Sequence, residues 1–76
     1  MNEKYLNAFI KTFGITAEKA QILTYQDIPG WDSVGHMQLI AAIEEIFGIM
    51  LETDDIIDLS SFEKGKEILK KYDVEL

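Results

Sequence analysis

Two groups of side chains in this chain of 76 residues are of types that could do chemistry. The first is Asp32, Ser33 and His36. On a helix, Ser33 and His36 stand three positions apart and share a face, as a nucleophile and its base would. A working serine also needs an oriented imidazole, an oxyanion hole and a cleft for substrate. The nucleophile elbow reads G-x-S-x-G, whereas Gly30-Trp31-Asp32-Ser33-Val34-Gly35 places the serine one position late. The simpler reading is a helix cap followed by a surface histidine. The second group is the acidic run Glu52-Thr53-Asp54-Asp55-Ile56-Ile57-Asp58. It lacks the D-x-D-x-D-G order and closing glutamate of a calcium loop. One histidine and no cysteine cannot build a structural zinc site, so no metal ligand is expected.

Charge narrows the partners. Fourteen acids against seven bases give a net charge of -7, which argues against a phosphate-backbone partner, and a recognition helix here would be acidic. All the bases are lysines near the ends: Lys4, Lys11, Lys19, Lys64, Lys66, Lys70 and Lys71. Between Lys19 and Lys64 the charged side chains are Asp27, Asp32, Glu44, Glu45, Glu52, Asp54, Asp55, Asp58 and Glu63. Such a stretch is either a solvated face or a docking surface for basic partners, and composition leaves both open. No apolar run approaches the ~20 residues of a membrane span, and the first residues lack a signal-peptide pattern. A single cytoplasmic, monomeric domain over residues 1–76 is expected, without membrane insertion. A chain this short has little room for both a core and an enclosed cleft, so a self-contained enzyme is not expected.

The elements that would position these residues are helical. Tyr5, Leu6, Phe9, Ile10 and Phe13 follow i, i+3, i+4 spacing, so a helix is predicted from Met1 to Phe13, stopped at Gly14. Thr16 can cap a short turn from Ala17 to Gln21. Periodicity then breaks from Ile22 to Asp32, with a turn at Pro29-Gly30. Asp32 or Ser33 caps the next helix, which runs to about Phe47 with a wide apolar face and ends at Gly48. Thr53-Asp54-Asp55 opens a short helix through Leu59. Ser60 and Glu63 have the spacing of a capping box for a last helix reaching Tyr72. Gly65 inside that helix implies close approach of another element or of a ligand. The expected fold is all-α: a four-helix up-and-down bundle with a long first loop and one short crossing helix.

A long loop thus delivers Gly-x-Asp-Ser to the start of a wide apolar helix in acidic surroundings. Here the sequence resembles the acyl carrier proteins, small helical domains that carry a phosphopantetheine arm on a serine. The match is centred on Gly30-Trp31-Asp32-Ser33-Val34-Gly35-His36-Met37-Gln38-Leu39-Ile40. It continues through Ile43-Glu44-Glu45, Phe47, Leu51, Ile56 and Leu59 into the last helix. The first helix matches in pattern only. Gly35 and Gln38 stand where fatty-acid carriers usually have acids, Pro29 where leucine is usual, and Trp31 where small residues are common. These departures suggest a stand-alone carrier of a specialised pathway.

The resemblance implies a non-catalytic protein holding acyl intermediates as thioesters, for fatty-acid, polyketide or specialised biosynthesis. Ser33 would carry phosphopantetheine taken from coenzyme A by a separate phosphopantetheinyl transferase, and Asp32 would help that enzyme and its magnesium engage. The arm brings its own thiol, which suits a chain without cysteine. Acyl-loading and acyl-processing enzymes with basic patches would dock on Val34, Met37, Ala41, Glu44, Glu45, Asp54 and Asp55. Cargo would lie among Leu39, Ile43, Phe47, Leu51, Ile56 and Leu59. The alternative is an unmodified module of the same fold that holds a basic partner on its acidic face.

Rim charge acts mainly on association, and apolar anchors on dissociation. Glu45→Lys is therefore expected to slow association with a transferase at low salt, the deficit shrinking as salt rises. Met37→Ala is expected to raise the dissociation rate with little salt dependence. Binding kinetics at two ionic strengths check both.

Overall fold

In the computed structural model, which describes residues 3–75, the chain runs through five helices. They are α1 (Glu3–Phe13), α2 (Ala17–Gln21), α3 (Ser33–Phe47), α4 (Thr53–Asp58) and α5 (Phe62–Lys70). The expected all-α class holds. Met1 and Asn2, assigned to α1 by periodicity, lie outside the described residues. Among those described, no helix is long and apolar enough to cross a membrane.

The periodic residues of α1 do what their spacing requires. Tyr5, Ala8 and Phe9 are buried, and α1 packs on α3 and α2 while α2 meets α5. Phe9 sits at the middle of the aromatic packing. Its ring meets Tyr5, Phe62 and Trp31 at centroid distances of 5.1, 5.0 and 5.6 Å, in edge-to-face geometries that suit the ring quadrupoles. Leu23, Leu39, Ile40, Ile43, Leu59 and Leu69 complete the fully buried set. Thr16 caps α2 as expected, its hydroxyl accepting from the Lys19 N–H at 3.2 Å. Gly48 closes α3 in the left-handed conformation (φ 65°), which only glycine adopts without steric cost.

Gly65 answers to close approach. A Cβ there would collide with the Tyr5 hydroxyl, which runs past the helix to donate to the Phe62 carbonyl at 2.6 Å. Burial pushes the Tyr5 phenol well above its ordinary range, so this hydroxyl stays a donor.

Both boundaries of α5 differ from expectation. The cap of α5 is Ser61, whose hydroxyl accepts from the Lys64 N–H at 2.9 Å, and not Ser60. The reason lies in the long loop. Its Thr24 forms an antiparallel bridge with Ser61, the Tyr25 N–H donates to the Ser60 carbonyl at 2.8 Å, and the Phe62 N–H donates to Leu23 at 3.0 Å. Ser60 is thereby held in extended pairing, and the helix starts one residue later. The last helix ends at Lys70, with residues 71–73 in a turn.

Asp55 is the third difference. Placed on the partner-facing acidic surface by sequence, it is 5% exposed and turned inward. Its carboxylate accepts from the Lys71 ammonium and the Tyr72 hydroxyl, each at 2.5 Å, while that hydroxyl accepts from the Glu52 N–H at 2.9 Å. A short helix with little apolar face of its own is thus tied to the turn after α5. The Lys71 ammonium, and then the Tyr72 hydroxyl, hold the Asp55 carboxyl below the usual carboxylate range. A lowered folded-state pKa contributes stability that is present above the unfolded value, about 3.9, and is lost as pH falls through the folded one. Urea midpoints are therefore expected to fall as pH drops below about 4. In Asp55→Asn that decline should flatten, and the midpoint at neutral pH should be lower than in the parent.

Candidate functional site

The start of α3 is built by three contacts that the sequence places within a few residues. Asp32 is extended and its Oδ1 accepts from the Gly35 N–H at 2.8 Å, while its carbonyl accepts from the His36 N–H at 2.8 Å. Ser33 is consequently the first residue of the helix, not its cap, and it is exposed. Gly35 is buried beneath the preceding turn: a Cβ there would collide with the Gly30 carbonyl oxygen. That close approach explains why this position carries no acid.

Trp31, immediately before the cap, is fully buried. Its indole N–H donates to His36 Nδ1 at 2.9 Å. An indole nitrogen can only donate, so Nδ1 accepts, which leaves Nε2 as the ring's donor. Nε2 then donates to the Ile56 carbonyl in α4 at 2.7 Å. His36 is therefore not the surface side chain that sequence suggests; it is half-buried and joins the loop, α3 and α4. With both nitrogens engaged, the ring has none free to serve Ser33 as a base.

Beside Ser33 lies a groove of about 380 Å³, lined by Tyr25, His36, Met37, Ile56, Ile57, Leu59, Ser60 and Ser33 itself. Its walls are mainly apolar. Met37 and Ile57 are 53% and 71% exposed, so the apolar surface extends outward from the groove, and Val34 adds to it at 66%. The aromatic wall is braced from behind, with the Tyr25 ring edge-on to Trp31 and His36 at 6.0 and 5.6 Å.

The residues assigned from sequence separate into distinct environments. Val34, Met37, Ala41, Glu45, Asp54 and Asp58 are exposed. Glu44 is half-buried and its carboxylate accepts from the Leu51 N–H at 2.9 Å, fastening the α3–α4 connection instead of facing a partner freely. Of the cargo set, Ile56 and Leu59 line the groove at Ser33. Leu39, Ile43 and Leu51 are sealed in the core. Phe47 faces a separate depression with Ile49, Tyr72 and Val74. Sequence reasoning missed His36, Ile57 and Ser60 as groove residues, while the bulk of Tyr25 was already expected to shorten any cavity. The i, i+4 relation of Ser33 and Met37 was the available signal for that face, but Tyr25 and Ser60 arrive only through the bridge between the loop and α5. Among the described residues no three His, Asp or Glu side chains cluster as metal ligands.

Comparison with protein-family models, with curated proteins and with solved structures gives no match for this chain.

Because Asp32 is the cap and Ser33 is an exposed residue inside the helix, the two should separate in stability. Asp32→Ala is expected to cost about 1 kcal/mol, the usual scale of a lost N-cap. Ser33→Ala should change stability by less than about 0.5 kcal/mol. Paired urea denaturation curves check the difference.

Proposed function

We propose that the chain is an acyl carrier protein, bearing its cargo as a thioester on a phosphopantetheine arm attached at Ser33. The observation that carries this reading is an exposed, unactivated serine at the N-terminus of a 15-residue helix, opening onto an apolar groove. In this reading α1, α3, α4 and α5 are the four helices of the carrier bundle, and α2 is a turn within its long first loop. The protein is a cytoplasmic monomer and does no catalysis itself.

A serine hydroxyl is a weak nucleophile near neutral pH, so attachment needs a second protein. The transferase, with magnesium, directs Ser33 Oγ at the coenzyme A phosphorus that bears the pantetheine. The pyrophosphate bond breaks, the nucleotide bisphosphate leaves, and the serine proton passes to the transferase's base. The incoming phosphate meets the positive end of α3, where the helix dipole favours negative charge. Asp32 stays at the mouth of the site as the cap and as a contact for the transferase. Once attached, the arm delivers the acyl group at high local concentration to each enzyme that docks. Exposed Val34, Met37 and Ala41 supply the apolar contact, with exposed Glu45 and Asp54 as the acidic groups that steer a basic partner.

Incubation with coenzyme A, magnesium and a broad-specificity transferase should add one phosphopantetheine by intact mass, and peptide mapping should locate it on Ser33. Ser33→Ala should gain no mass and remain folded. A folded parent chain that gains no mass, or gains it on Ser60 or Ser61, would overturn the assignment.

A further inference from the structure

The carrier reading leaves open where the cargo rests, and His36 bears on that directly. Its ring lies within 14° of the Trp31 indole plane, with Nδ1 held by that indole and Nε2 by the Ile56 carbonyl. From Ser33, the way into the core along α3 passes His36 before reaching Leu39 and Ile43, one and two turns further on. Both of those side chains are fully buried. Parting α4 from α3 would break the bond between Nε2 and the Ile56 carbonyl. It would also leave a polar N–H and a carbonyl in an apolar seam, where each lacks a partner. The groove outside this seam is already open, and the Ser33 side chain lines it.

We propose that His36 is a positioning residue that keeps the α3–α4 seam shut, so that the acyl group tethered to Ser33 rests in the outer groove under Tyr25, Met37 and Ile57. The inference rests on the carrier reading and specifies its cargo. The groove suits a compact acyl group, short or aromatic, which the Tyr25 edge and the Met37 thioether can cover. A long alkyl chain would leave much of its length in water, because the core does not receive it.

The test compares methyl spectra of the chain carrying a bare phosphopantetheine arm with those of the chain carrying an octanoyl arm on Ser33. Met37 and Ile57 methyl signals should shift, while Leu39 and Ile43 should stay in place. Movement of the Leu39 and Ile43 methyls in the parent protein would overturn the proposal. In His36→Leu, which removes both hydrogen bonds, those core methyls should become responsive to the octanoyl group. His36→Gln, whose amide offers an acceptor to Trp31 and a donor to Ile56, should restore silence. A folded His36→Leu with an unresponsive core would show that His36 is not the closure. If that variant does not fold, His36→Asn, whose shorter amide cannot reach both partners, takes its place with the same expectation. Nitrogen shifts of His36 should show the proton on Nε2, and the opposite tautomer would also overturn the proposal. Failure of the carrier reading is distinguishable: no arm would attach to Ser33, which intact mass reveals before any cargo spectrum is recorded.

Discussion

A fully buried indole must find an acceptor for its single N–H, and in this chain that requirement organises the site. Trp31 sits among Phe9, Phe13, Tyr25 and His36, with its nitrogen satisfied by His36 Nδ1. The consequence runs outward in order. Accepting at Nδ1 fixes the imidazole tautomer, the proton on Nε2 then needs a carbonyl, and Ile56 supplies one from α4. A single buried donor thereby sets the position of the loop, of α3 and of the short helix beside it. The apolar burial of a ring this size supplies the free energy; the hydrogen bonds supply the register.

Close approach is the second constraint, and it acts by forbidding side chains. Gly35 lets the Gly30 carbonyl rest on the first turn of α3, and Gly65 lets Tyr5 reach the Phe62 carbonyl past α5. Both contacts bring a backbone or a hydroxyl to within the space of one Cβ. The first of these contacts leaves Ser33 exposed at the rim of a braced turn, on the first turn of a 15-residue helix.

The acidic stretch is divided in its work. Asp55 and Glu44 are consumed internally, one by Lys71 and Tyr72, the other by the Leu51 N–H. Asp32 is consumed as a cap. Glu45, Asp54 and Asp58 are exposed, and Asp58 stands on the side of α4 that faces Lys64 and Lys71. Under the proposed function, the exposed acids would steer encounter with a basic partner while exposed Val34, Met37 and Ile57 hold the complex.

Much of this was legible in residue spacing. The i, i+3, i+4 pattern of Tyr5, Phe9 and Phe13, the Gly48 stop, the Thr16 cap and the helix start at Asp32-Ser33 are local matters, decided by interactions within a turn or two. For the same reason Ser33 and the exposed Val34–Met37–Ala41 face could be placed before any fold was known. What sequence could not give were contacts between residues distant along the chain. The bridge from Thr24 to Ser61 moved the α5 cap by one residue, and Lys71 drew Asp55 inward from an apparently free acidic face. His36 looked like a surface side chain because its acceptor, the Ile56 carbonyl, lies twenty positions away. Local periodicity determines which face of each helix is apolar. Only tertiary packing decides which polar groups on the margin of that face must pair with one another, because a buried donor takes whichever acceptor the fold brings within reach.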